Sequence, residues 1–155
     1  AAAAASEIVV LATPWEVSED VVRGLGDLGS RILVDCTNPV QPDLAGLTVG
    51  HSVSAGEMIA GWAKPAKDVK AFNNTGANNM LEPAYADGAT TMFLCGDDPQ
   101  ANRVVAGLAK DIGFEPVDAG GLRMARLLEP LAMLWINLAY QQGMGPDIAF
   151  RLMTR

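Results

Sequence analysis

Three short stretches of this chain carry residues whose types and spacing fit chemistry at a ligand. They are Thr13-Pro14-Trp15-Glu16-Val17, Thr37-Asn38-Pro39, and the asparagine-rich run from Asn73 to Asn79. Each follows a short apolar run directly. A strand that passes straight into a helix N-terminus presents unpaired backbone N–H groups, and α/β proteins place phosphates and cofactors there. Thr13 is expected to cap such a helix, with Pro14 at its first position and Glu16 closing a capping box. Thr37-Asn38-Pro39 reads as contacts to a ligand at a sheet edge or as a plain turn, which Asn-Pro favours. The asparagine run has two readings as well, an Asn-rich turn with helix caps or a ligand surface. Asparagine offers donors and acceptors without charge, which suits a carboxamide or the edge of a heterocycle.

Other candidate groups have simpler explanations. Gly24-Leu25-Gly26-Asp27-Leu28-Gly29 matches a dinucleotide fingerprint in letters, but it ends a helical pattern and precedes a strand, the reverse of the required order. It reads as a glycine-rich helix stop. Asp98 before Pro99 reads as a helix cap, and with Asp97 it needs no acid–base or metal role. His51 is the sole histidine, and no motif places a nucleophile with it. No cluster has metal-ligand spacing. Asn73-Asn74-Thr75 also spells a glycosylation sequon, an incidental match in an intracellular chain. Trp15, Trp62 and Trp135 read as core or interface residues, with Trp15 bordering any ligand at the first helical turn. We therefore assign no catalytic acid, base or nucleophile and no metal ligand. Hydride transfer between two cofactors needs none, since the protein supplies position and electrostatics.

The elements that must position these residues alternate. Strands are expected over residues 7–12, 31–35, 68–72, 89–95 and 114–117. Helices are expected over 16–25, from a Ser54/Glu57 capping box to about Trp62, and from Asp98-Pro99 to Gly113. From Leu122 the rest reads as helical, interrupted at Pro130 and at Gly143–Pro146, with the Leu- and Met-rich stretch 127–140 as core or a dimer face. Such alternation implies an α/β domain with a mostly parallel sheet and helices on both faces. The 155 residues are one domain's worth, half of them apolar and 19% charged, a folded composition. The net charge of -7 argues against nucleic acid or an anionic membrane surface as partner. The longest apolar run, 131–140, is too short and too polar to span a bilayer. Cys36 and Cys95 read as free thiols of a reducing compartment, the cytoplasm. Ala1–Ala5 reads as the tail of a helix that begins earlier, so we expect a truncated chain.

Together, VVLATPWE, ILVDCTNP, GLTVGHSVSAGE, VKAFNNTGANNM, FLCGDD and EPVDAGGLRMARLLEPLAMLWI resemble the NADPH-dependent coenzyme F-420 reductase family. The same domain type is similar to the reductase domain of the STEAP ferric reductases. The resemblance runs from about Ser6 to Arg155. It implies a Rossmann-like NAD(P)-binding fold lacking its first, glycine-loop half, so that residues 1–155 form one domain: the second half of the fold plus C-terminal helices. It implies hydride transfer between NADP(H) and a deazaflavin, coenzyme F-420, or a flavin-type acceptor. By motif, Thr13, Pro14, Trp15 and Val17 border NADP, Asn38 contacts it after the next strand, and Ala77 lies near the nicotinamide. Asn73 stands where an archaeal-type reductase has a histidine close to the deazaflavin, a departure that leaves a flavin or another acceptor open. The region from Asp118 onward closes the substrate side and contributes to a homodimer. Two other readings compete: a non-catalytic half-Rossmann interaction or dimerisation module, and another NADP enzyme such as an imine or pyrroline-carboxylate reductase.

Overall fold

Short strands with side chains alternating between faces can bury both faces only between two layers of helix. This arrangement is seen in the computed structural model, which describes residues 3–155. In chain order the elements are β1 (Ile8–Leu11), α1 (Trp15–Gly24), β2 (Ile32–Asp35), α2 (Ala55–Trp62), β3 (Lys67–Lys70), the hairpin strands β4 (Ala84–Tyr85) and β5 (Gly88–Ala89), β6 (Thr91–Gly96), α3 (Pro99–Ile112), β7 (Glu115–Asp118) and α4 (Ala125–Ile136). The main sheet has the order β1-β2-β3-β6-β7. Leu33 packs with α1 and α2 on one face, and Cys95 packs with α4 on that same face. Val34, Val69 and Leu94 meet α3 through Ala101 and Val105 on the other. Helices therefore cover both faces, as the alternation implies.

Pairing is parallel from β1 to β3 and between β6 and β7, but β3 and β6 run antiparallel. The physical reason is the connection. Residues 71–90 contain no crossover helix, only a 3-10 turn and the β4–β5 hairpin, so the chain re-enters the sheet from the rim it left. The hairpin escaped the sequence reading, which merged its second strand with β6.

Local signals placed several boundaries well. Ser54 and Glu57 form a reciprocal capping box at α2, and Asp98 caps α3, which ends on Gly113 in the left-handed region at φ 112°. The glycine-rich stretch after α1 is a helix stop, with Gly26 and Gly29 at positive φ. The C-terminal reading needs correction. Pro130 does not interrupt α4 but lies inside it, where it lacks the N–H that would bond to the Arg126 carbonyl. A π-helical turn, Asn137–Gln141, follows, and residues 142–155 form no helix. Of the helix tail expected over Ala1–Ala5, the first two residues lie outside the described ones, and Ala3–Ala5 form one 3-10 turn.

Candidate functional site

Parallel ladders bring three loops to one rim. Cys36 N donates to Leu11 O at 3.0 Å and Ala71 N to Asp35 O at 3.0 Å, so the chain leaves β1, β2 and β3 in step. The expected residues Thr13, Pro14 and Val17 stand on this rim, with Val17 45% exposed. The Thr13 capping box does not form. Pro14 itself takes the N-cap position with an extended backbone (φ -55°, ψ 146°), and no side chain caps α1. Glu16 then falls one residue short of the position a box requires. Thr13 Oγ1 instead lies 3.0 Å from Ser18 Oγ, whose hydroxyl donates to Pro14 O at 2.9 Å. Trp15 turns inward and stacks on Trp62, ring centroids 5.7 Å apart.

Asn38 and Asn73 are brought together. Asn38 Nδ2 donates to Asn73 O at 2.8 Å, and Asn73 Nδ2 donates to Asn38 Oδ1 at 3.0 Å and to Leu128 O at 3.4 Å. Asn74 Nδ2 donates to Asn73 Oδ1 and to Phe93 O. Apart from Asn74 Oδ1, which is buried without a partner, these amides bond inside the protein, and Asn73, 4% exposed, forms a neutral floor. Its burial also closes the sequon to a glycan. Phe72, at φ 60°, makes the sharp turn out of β3, a conformation that a bulky side chain holds only under constraint. Ala77 starts the 3-10 turn beyond Asn73 and is exposed.

Behind this floor lies a group of charges that the sequence reading missed. Lys70 Nζ donates to Asp35 Oδ2 at 2.7 Å, to Thr37 O at 2.8 Å and to Glu129 Oε1 at 3.1 Å. Asp35 Oδ1 accepts from Thr37 N and Thr37 Oγ1. Glu129 in turn accepts the first N–H groups of α2, from Ala55 and Gly56, at 3.0 Å each. One lysine thereby ties β2, β3, the Thr37–Pro39 loop and α4, and Glu129 brings in α2. Burial disfavours the Lys70 charge, but Asp35 and Glu129 outweigh it and raise its pKa. Asp68, also buried, has no hydrogen-bond partner for either carboxylate oxygen. Burial first, and Asp35 second, push its pKa well above the ordinary carboxylate value. A signal existed: charged residues inside otherwise apolar strands at Asp35, Asp68 and Lys70, and Glu129 within an apolar helical run.

The remaining candidates serve structure. Asp97 Oδ1 accepts from Leu122 N rather than joining Asp98. Cys36 and Cys95 are free thiols, and burial pushes each up to about 12. Among the described residues no His/Cys/Asp/Glu group could hold a metal ion, and no helix is long and apolar enough to cross a membrane. In the three rim loops Glu16 is the only charged residue. The first turn of α1 has no side-chain cap, and the asparagine floor carries no charge.

No protein-family model matches the chain. Among solved structures, a candidate F420-dependent NADP reductase from Arthrobacter sp. FB24 superposes with a TM-score of 0.89 at 32% identity, covering 98% of this chain and 71% of that one. Among curated proteins, the F420-dependent NADP reductase of Methanothermobacter thermautotrophicus is 30% identical over 148 residues, covering 88% of this chain and 62% of that protein. The rat metalloreductase STEAP3 is 31% identical over 135 residues, 86% of this chain and 27% of that protein. The chain thus spans less than two thirds of the curated relatives it matches.

Proposed function

Because the chain belongs to the F420-dependent NADP reductase family, we propose that it carries the nicotinamide and acceptor side of an oxidoreductase that moves a hydride reversibly between NADP(H) and coenzyme F-420. The observation that carries this reading is the Asn38–Asn73 amide pair, which joins the loops after β2 and β3 into one uncharged floor beside the open N-terminus of α1. NADPH supplies the hydride and the deazaflavin receives it. The work left to this chain is positioning. The first-turn N–H groups of α1 would meet ligand oxygens, Thr13 and Val17 would border the ring, and Ala77 would flank it across the floor. The reduction also takes up one proton, which solvent supplies: Asp35 and Glu129 are bonded to Lys70 behind the floor, and Glu16 is the only charged side chain of the three loops. Exposed Leu127 and Leu134 on α4, 65% and 49% exposed, support assembly as a homodimer. The absence of a disulfide partner for either cysteine is compatible with a cytoplasmic setting.

The test is direct. Purified protein mixed anaerobically with NADPH and coenzyme F-420 should bleach the deazaflavin's visible absorbance, and reduced coenzyme with NADP should restore it. A chain that binds neither NADP(H) nor F-420 would overturn the reading in favour of a non-catalytic module.

A further inference from the structure

Beyond α4 and its π-helical turn the chain doubles back. Gly143 and Gly145 take left-handed backbone at φ 71° and 81°, and Pro146 follows, so no helix continues. Residues 146–152 then run without regular secondary structure past the asparagine loop to the start of β6. Their backbone bonds fall on alternate residues, the period of an extended chain. Pro146 O accepts from Asn78 Nδ2 at 3.0 Å, and Ile148 O accepts from Trp135 Nε1 at 2.7 Å and from Asn79 Nδ2 at 3.0 Å. Phe150 O accepts from Thr91 N at 3.1 Å, and Leu152 N donates to Thr91 Oγ1 at 2.9 Å. The segment is a strap, fastened at one end to the 3-10 turn Ala77–Met80 and at the other to β6.

Ile148 O is the point on which the asparagine loop hangs. Trp135, buried on α4, is held by its Nε1–H, and its six-membered ring presses on Gly76 so closely that a Cβ there would have no room. Asn79, the second donor to Ile148, also donates to Thr75 Oγ1 at 2.7 Å, and its Oδ1 accepts from Tyr85 Oη at 2.9 Å. Thr75, Gly76, Asn78 and Asn79 are therefore each fixed by the strap or by a side chain that the strap holds, and Ala77 lies between them. The floor is fixed differently: Asn38 and Asn73 bond to each other and to Leu128 O of α4, with no bond to the strap. We infer that residues 146–152 are a positioning element for the nicotinamide. Through Trp135 and Asn79, the Ile148 carbonyl sets how far the Gly76–Ala77 turn stands from the Asn38–Asn73 floor, and so the width of the slot that receives the ring. The inference rests on the reading of Ala77 as a flank of that ring.

Two substitutions loosen the strap at separate points without touching the floor or the first turn of α1. Trp135→Phe keeps a ring beside Gly76 but removes the Nε1–H donor. Thr91→Val keeps the shape of a buried residue but removes the acceptor of Leu152 N. Each full-length variant is compared with the wild-type chain by amide hydrogen exchange, read by mass spectrometry, and by titration followed through NADPH fluorescence. In both variants exchange should rise over residues 73–80 and stay unchanged in α3, and NADPH affinity should fall about fivefold or more, the scale of one lost hydrogen bond. NADPH affinity unchanged in either variant would overturn the inference and leave the nicotinamide reading standing. Exchange unchanged over 73–80, or raised across the whole chain as in a simple loss of stability, would overturn it too. A wild-type chain that does not bind NADPH would overturn the nicotinamide reading and the inference together.

Discussion

Lys70 Nζ and Asp35 Oδ2 lie 2.7 Å apart, and neither side chain exposes any surface. A buried ion pair of this kind is weak evidence for stability, because desolvation offsets attraction, yet breaking it on one side strands a charge. Lys70→Met strands Asp35 and removes one of Glu129's partners, so unfolding in urea should show a loss of about 3–5 kcal/mol. Lys70→Met combined with Asp35→Leu should recover part of that loss. A double variant no better than the single one would show that the cost lies in packing rather than charge.

Asp68 titrates in the destabilising direction as pH rises. Its native pKa lies above the ordinary 3.8, so the folded state binds a proton that the unfolded state releases. That contribution is complete below the ordinary value and is lost as pH climbs through the native one. Asp68→Asn replaces the protonated acid with a neutral group of similar shape. Relative to wild type, the variant should gain stability as pH rises from 3.8 to the raised native value, and no further beyond it, in paired thermal melts. Parallel stability curves would remove Asp68 as the source.

Glu57 has the opposite sign. Arg126, followed by the Ser54 bonds, brings its carboxyl from 4.5 down to about 2. Its contribution is present above 4.5 and is lost as pH falls from there toward 2. Glu57→Gln should flatten the acid limb of the stability curve in that window and leave the alkaline limb alone. An unchanged acid limb would show that the Arg126 pair contributes nothing measurable.

Gly76 sits at ordinary φ, so space and not backbone freedom explains it. A Cβ there would come within 2.5 Å of Trp135 Cη2 and of Asn78 Oδ1. Gly76→Ala should cost about 1–3 kcal/mol through overpacking, and it should weaken NADP(H) binding by displacing the Asn73–Ala77 turn. Full stability in a thermal melt would mean that Trp135 swings clear.

Thr13→Val should cost less than the roughly 1 kcal/mol of a lost helix cap, because the hydroxyl meets Ser18 rather than the helix N–H groups. Ser18→Ala, at a fully buried position, should cost more. A larger loss for Thr13→Val than for Ser18→Ala in urea titrations would reverse this ranking.

Where the signal is local, the sequence reading was sufficient. Asp98, Pro99 and Gly113 bound α3 by capping chemistry, and Ser54 with Glu57 starts α2, because each device is complete within four residues. Asn38 and Asn73 were singled out one by one, but their hydrogen bonds join the loops after two different strands, and no short window contains them. The same holds for Lys70 with Asp35 and Glu129. Their partnership depends on strand register and on where α4 lands, which the strand expected over 68–72 does not reveal. Thr13 failed for a different reason: Pro14 shifted the helix start by a single residue, and a capping box has no tolerance for that. Pro130 failed because the packing of Ala125, Leu128 and Trp135 outweighs one missing hydrogen bond.

The antiparallel entry of β6 bears on how this molecule can diversify. Because the chain returns to the sheet from the rim it left, all of residues 71–90 stay on the side of the three rim loops, and no helix has to lengthen to carry them across. Thr90 closes the base of that excursion by donating both N–H and hydroxyl to Pro83 O, at 2.9 and 2.8 Å. The β4–β5 hairpin hangs from this clasp outside the main ladder, so residues added or removed at its tip leave the register of β3 with β6 untouched. The rim beside the asparagine floor can therefore change its outline by length alone, while the charged knot beneath it stays as it is.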